Sequence, residues 1–399
     1  MDLVGNEVRR APAPWGPRAC VESLRPSLIR EVANAGAGVD GVLPFWFGES
    51  DRVTPAFIRE AAGAALADGN TFYTHNLGTA VLRETLAAYV AARHGVTRAA
   101  QIAVTSAGVS ALMLAAQLLV GGGDRVVALT PLWPNLVEIP KILGAHVECV
   151  ALDHGEAGWR LDLDRLLAAL TPDTRMLLVN SPNNPTGWTM SRAEQAAVLE
   201  HCRRHGIWIV ADEVYERLAF AAGGASSFLD LASRDERVIV VNSFSKAWAM
   251  TGWRLGWLVA PERVMDGLSK LIEYNTSCAP GFVQAAGVAA VRDGEPFVAE
   301  FVGALRSARD HLVAALNTLP EVSVAAPDGA MYLFLRLPGV HDSLAFCKRL
   351  VREAGVGLAP GRAFGDEGGD FVRWCYACST ERLDAGVQRL QAFLRRTGA

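Results

Sequence analysis

The chain has 399 residues, of which 51% are hydrophobic and 20% charged, enough apolar material for a large core and too much for a disordered polypeptide. Its 38 basic and 42 acidic residues leave a formal charge of −4, which gives no electrostatic footprint for nucleic acid or an anionic membrane. No apolar run approaches the ~20 residues that span a bilayer, the opening MDLVGNEVRRAPAPWGPRAC has no apolar h-region, and seven scattered cysteines make no disulfide framework. The expectation is an α/β protein of the cytoplasm.

The first ~20 residues, rich in Pro, Ala and Arg, read as an arm without its own core. Thr54 and Pro55 predict a helix through Leu66, with the threonine as N-cap and the proline at the first helical position. A second helix is predicted from Gly78 to Arg93. Seven β-type runs follow, at Gln101–Thr105, Arg125–Leu129, His146–Ala151, Arg175–Asn180, Ile207–Ala211, Val238–Asn242 and Leu255–Val259. Helical spacing separates several of them (Leu112 to Leu119, Ala193 to His205). Apolar strands alternating with helices predict a mainly parallel seven-stranded sheet covered on both faces, the last strand being free to run either way.

Beyond Val259 the pattern changes to helices at Val264–Tyr274, Phe282–Val291 and Phe297–Leu319. Strand-like runs at Met331–Leu337 and Phe371–Tyr376 follow, with helices at Leu344–Glu353 and Arg382–Arg396. This predicts a smaller α+β domain. The division reads as an arm with part of the small domain over 1–45, a large domain over 46–292 and the rest of the small domain over 293–399.

Chemistry concentrates where predicted strands end. Lys246 follows an apolar strand, the usual edge of a ligand crevice in open α/β folds. Desolvation there favours a neutral amine, a nucleophile able to form a Schiff base. Ser243, Ser245 and Arg254 around it suit a phosphate. The small-residue turn at Ala107, Gly108 and Val109, between a strand and a helix, offers backbone N–H groups to the same kind of anion. Asp212, at the end of a buried strand, needs a cationic partner, with Glu213 as the competing carboxylate. Arg373, in a largely apolar strand, needs an anionic one, and its planar fork suits a carboxylate. Asn184 lies in a Pro-rich turn after a strand, whose prolines and glycine fix an irregular loop that can present an amide donor.

Ser-Phe-Ser-Lys followed by Gly-Trp-Arg-Leu-Gly-Trp resembles the lysine signature of the class I/II pyridoxal-phosphate (PLP) aminotransferases, the fold-type I PLP enzymes. The Asn-Pro-Thr-Gly turn at 184–187, the Asp-Glu-x-Tyr element at 212–215 and the arginine strand at 371–377 occur in that family's order. The resemblance runs from Val42 to Tyr376. It implies PLP bonded to Lys246, its ring nitrogen on Asp212, and its phenolic oxygen on Asn184 and Tyr215. It implies a phosphate cup of Ala107, Gly108, Val109, Ser243, Ser245 and Arg254, and Trp133 stacked on the ring. Arg373 would grip the substrate's α-carboxylate, with Trp46 and Phe47 at the pocket edge. Tyr73 matches a tyrosine that reaches the neighbouring subunit's phosphate, which implies a homodimer.

The implied reaction passes the α-amino group of an L-amino acid to a 2-oxo acid, 2-oxoglutarate being the expected acceptor, with ping-pong kinetics. Lyases, decarboxylases and cyclising synthases of the same fold share these motifs and form the alternative. A PLP-binding regulator is disfavoured by the lack of a basic recognition helix. Relatives that prefer aspartate or glutamate place a lysine where this chain has Val109, so side-chain preference is left open.

Other motifs fail. Cys375-x-x-Cys378 lies at a strand end without a helix to depress a thiol pKa, and no second pair exists for zinc. His201 and His205 lie four apart but lack a third ligand. Gly121–Asp124 lacks the Lys-Ser/Thr of a phosphate loop. Gly223-Gly224 reads as a flexible insertion.

Overall fold

A computed structural model describes residues 15–397 apart from 96, 222, 223, 320, 321, 323, 338 and 339. Gly223 and most of the amino-terminal arm therefore lie outside the described residues. Seven strands build the central sheet: β1 (Ile102–Thr105), β2 (Arg125–Thr130), β3 (His146–Ala151), β4 (Thr174–Asn180), β5 (Trp208–Asp212), β6 (Val238–Ser243) and β7 (Gly256–Val259). Their order is β1-β7-β6-β5-β4-β2-β3. Every pairing is parallel except those of β7, which runs antiparallel to β1 and β6.

Every residue of β1, β5, β6 and β7 is buried, which is why these segments read as unbroken apolar runs instead of alternating ones. The reversed direction of β7 has a steric counterpart at its first residue. A Cβ on Gly256 would stand 2.6 Å from the nitrogen of Gly108 and 3.0 Å from the carbonyl oxygen of Asn242. Only a glycine lets this strand start pressed against the turn that follows β1. The ends of β1, β5 and β6 and the start of β7 thus converge on one edge.

Helix Gly108–Leu119 packs on the sheet, and helices Ala56–Ala67, Ala80–His94 and Gly281–Asp293 pack on one another. The first of these begins one residue later than expected. Pro55 is the N-cap, and Thr54 caps nothing. Its hydroxyl instead donates to the carbonyl of Ala249 at 2.6 Å and accepts from the indole nitrogen of Trp253 at 3.0 Å. A bond to the loop after Lys246 thus outcompetes a local cap.

A second body forms around the antiparallel strands Tyr332–Arg336 and Phe371–Cys375, joined by Ala359–Pro360. Helices Ser343–Ala354 and Thr380–Thr397 cover it, and Glu295–Leu316 packs against the latter. Leu43–Pro44 pairs in parallel with Val356–Gly357, and helix Leu28–Ala35 packs on Ser343–Ala354, so this amino-terminal stretch belongs to the same core. Among the described residues no helix is long and apolar enough to cross a membrane.

Candidate active site

β6 ends at Ser243, whose hydroxyl accepts the N–H of Ser245 at 3.1 Å and donates to its hydroxyl at 2.9 Å. This cap starts the single turn Phe244–Ala247, which presents Lys246. The Lys246 amine donates to the carbonyl of Gly48 at 2.6 Å and lies 5.5 Å from the centroid of the Tyr215 ring. Burial lowers it to about 8; Cys375, Asp212 and Glu49 oppose the shift, and Arg373 adds to it. A neutral amine is therefore accessible near physiological pH.

Asp212 closes β5 and is 2% exposed. Burial raises its carboxyl to about 7, against the N–H of Val214 at 3.3 Å and the charge of Lys246. It forms no ion pair among the described residues, so it is a buried acid without a bonded counter-charge. Glu213 points elsewhere, accepting the N–H of Phe228 at 3.0 Å. Strand alternation decides between the two carboxylates: Asp212 faces the cavity and Glu213 does not.

Asn180, at the end of β4, binds both neighbours. Its Nδ2 donates to the carbonyl of Asp212 at 3.0 Å, and its Oδ1 accepts the N–H of Asn184 at 2.8 Å. The Pro-rich turn is thereby tied to the strand that carries Asp212. Asn184 in turn accepts Nη1 of Arg373 at 2.8 Å. Arg373, 2% exposed, also donates to the carbonyl of Trp46, while its Nε has no partner. Its guanidinium carbon sits 4.4 Å from the Tyr332 ring centroid and 4.8 Å from that of Phe364. No carboxylate pairs with it among the described residues, so this charge also lacks its complement.

Between β1 and helix Gly108–Leu119 the backbone is strained at Ala107, whose φ is 127°. The left-handed residue of this turn is thus the alanine, and Gly108 serves space instead: a Cβ there would come 3.1 Å from that of Ser243. Arg254 is left-handed too, with φ 53°, and donates to the carbonyl of Thr251 at 2.6 Å.

One cavity of about 490 Å³ gathers these groups. Lys246, Asp212, Tyr215, Asn184 and Arg373 line it, as do Gly108, Val109, Ser243, Ser245 and Arg254. Trp133 and Phe47 border it. Three expected residues stand apart. Ala107 lies behind the lining. Trp46 turns its indole into the core, where a Cβ on Gly357 would strike it at 2.1 Å, and only its carbonyl reaches Arg373. Tyr73 is 89% exposed and outside the cavity. Asn180, Tyr332, Gly48 and Arg30 also line the cavity and carry no motif of their own. A polar residue closing the apolar run of β4 was the one available signal, at Asn180.

The cavity thus holds a buried amine of lowered pKa, an unpaired buried acid and an unpaired buried guanidinium. Beside them lies a glycine-floored helix start flanked by two hydroxyls and an arginine. Those complements fit PLP, which carries an aldehyde, a basic ring nitrogen and a phosphate. The fold and this site define a fold-type I PLP-dependent transferase. The sequence model for aminotransferase class I and II matches residues 45–390, and the chain belongs to that family. It is a PLP-dependent transaminase.

Among similar proteins, aromatic-amino-acid aminotransferase 2 of Thermococcus litoralis is 32% identical over 94% of this chain and 97% of its own. The aspartate aminotransferase of Pyrococcus horikoshii is 33% identical over 93% and 95%. A solved single mutant of Thermus thermophilus aspartate aminotransferase superposes with a TM-score of 0.89 at 32% identity, over 94% of this chain and 99% of that one.

Proposed function

We propose that Lys246 holds PLP and serves as the proton-moving base and acid of an L-amino acid:2-oxo acid transamination. The single observation that carries this is the convergence of the Lys246 amine, the unpaired Asp212 and the unpaired Arg373 on one cavity. When bound, PLP supplies an electron sink for the pair left as a substrate C–H bond breaks. Asp212 would hold the ring nitrogen in its protonated form, a charge that also neutralises the buried carboxylate. Tyr215 and Asn184 would donate to the phenolic oxygen, and Trp133 would pack on the ring. Ser243, Ser245, Arg254 and the N–H groups of Gly108 and Val109 would take the phosphate. Arg373 orients the substrate's α-carboxylate, and Lys246 Nζ takes the α-proton and returns it.

The acceptor on this reading is 2-oxoglutarate. Arg30 lies exposed at the cavity's edge, 5.8 Å from the Phe47 ring centroid, and enters no ion pair among the described residues. It supplies a cation for a second carboxylate, in a pocket where Val109 gives none. Apolar walls at Phe47 and Val109 also suit larger donors, and the relatives named for aspartate and for aromatic amino acids support both classes.

A homodimer belongs to the same proposal. Phe72, Tyr73 and Tyr274 are 83%, 89% and 89% exposed, large side chains that a second copy would cover while Tyr73 reaches its phosphate site. The domain division at 45 and 292 and a cytoplasmic location, with which seven free cysteines agree, complete it.

The test is Lys246→Ala together with a donor panel against 2-oxoglutarate. The wild-type protein should release one oxo acid per site without acceptor, and the variant should lose both turnover and the cofactor's absorbance near the visible edge. A variant that kept that absorbance and turned over would overturn the assignment. Release of ammonia or carbon dioxide instead would point to the lyase or decarboxylase alternative.

A further inference from the structure

We propose that Tyr332 is a positioning residue that fixes which way the Tyr215 hydroxyl gives its proton, and so couples the carboxylate grip to the cofactor-facing phenol. The proposal rests on the assignment of Tyr215 to the cofactor made above. The two hydroxyl oxygens are 2.6 Å apart, with ring centroids at 5.7 Å and planes at 79°. Among the described residues, neither hydroxyl has another hydrogen-bond partner. Tyr332 is fully buried, on a strand whose register sets it opposite Cys375, two residues from Arg373.

Its hydroxyl is wedged against Gly48, where a Cβ would come within 1.9 Å. Gly48 is the residue whose carbonyl accepts Lys246. Its ring is the face on which Arg373 rests. Tyr332 therefore touches the grip, the phenol and the loop that holds the lysine.

Two phenols sharing one hydrogen bond have one proton left over. Burial holds both well above the ordinary tyrosine range, so each keeps its proton. The groups facing the pair are Arg373, Asp212 and Cys375, with Lys246 beside the Tyr215 ring. Tyr332 is hemmed by Gly48. When it donates to Tyr215, the Tyr215 proton is free to point into the cavity, and accepting a bond makes that phenol a stronger donor. In the opposite sense Tyr215 would spend its proton on Tyr332 and have none for a ligand oxygen.

Tyr332→Phe keeps the ring under Arg373 and deletes only the hydroxyl. In the PLP-loaded protein, the pH midpoint of the cofactor's absorbance change should rise by about 0.5–1 unit, since Tyr215, the donor to its phenolic oxygen, is weakened when it no longer accepts a bond from Tyr332. The dissociation constant for PLP should rise about threefold to tenfold. Affinity for an unreactive carboxylate probe such as succinate should stay within twofold of wild type, whereas Tyr332→Leu, which removes the ring, should weaken succinate as well. Unchanged midpoint and PLP affinity in Tyr332→Phe would overturn the proposal. Equal loss of succinate binding in both variants would also overturn it, because that marks general disorder. If Tyr215→Phe itself left the midpoint unmoved, the cofactor role of Tyr215 would fall, and this inference with it.

Discussion

Nη1 of Arg373 donates to Oδ1 of Asn184 at 2.8 Å, across 189 positions of chain. A guanidinium has only donors, so the contact identifies the amide oxygen and leaves the amide's NH₂ free to face the cavity. The arginine proposed to hold the substrate's carboxylate thus also orients the Asn184 amide.

Arg373→Lys keeps the charge but loses the fork. Its affinity for amino acids should fall about tenfold to a hundredfold, and Arg373→Ala should lose more than that. Binding titrations with the donor, read beside kcat, check this; equal affinity in Arg373→Ala would remove it from substrate binding.

Asp212→Asn should have opposite effects with and without cofactor. Without cofactor, the wild-type carboxyl sits near 7 against an ordinary 3.8, so the folded chain keeps a proton that the unfolded chain releases across that window. Stability from this group therefore falls as pH rises from about 4 to 7. The variant lacks that loss and should be the more stable apoprotein at pH 8, by on the order of 2 kcal/mol, with the gap closing toward pH 4. Urea unfolding at both pH values measures it. In the loaded enzyme the same change should cut turnover at least about a hundredfold.

Some of this was legible in the sequence for a physical reason. Most strands of the sheet are buried on both faces and so are continuous apolar runs, found within a residue or two at each end, as was the largely exposed edge strand β3, and the polar residues closing β5 and β6, Asp212 and Ser243, marked the cavity. Side-chain direction in irregular stretches was not legible, because no periodicity sets it. Phe45–Phe47 gave no sign that the Trp46 indole turns inward while its carbonyl turns out. Thr54 carried every local mark of a cap and was taken by a loop almost 200 positions away. Tyr332 looked like any strand aromatic, since only tertiary contact sets its hydroxyl against Tyr215.

Thr54→Val should release the loop after Lys246. Two hydrogen bonds go with it, for about 1–3 kcal/mol, since the Ala249 carbonyl and the Trp253 indole lose their partner. Denaturant unfolding reports the loss, and Thr54→Ser should restore most of it.

His94 lies between Asp230 at 2.8 Å and Glu216 at 3.0 Å, with Arg93 on Glu216 at 2.9 Å. Burial alone would lower its pKa, but Glu216 and Asp230 push it up to about 9. The charged form thus stabilises the fold fully below the unfolded value near 6.5, and that contribution is lost as pH rises through 9. His94→Gln should destabilise by about 2–3 kcal/mol at pH 6, with the difference from wild type shrinking by pH 10. A constant difference would show that packing, not charge, is what His94 provides.

The guanidinium of Arg373, which has no carboxylate partner among the described residues, also makes the medium a participant. Acetate, citrate and other small organic acids in a laboratory buffer match its shape, and would dock there as competitors. Substrate constants measured in such buffers should be inflated in proportion to their concentration and should recover in a sulfonate or amine buffer.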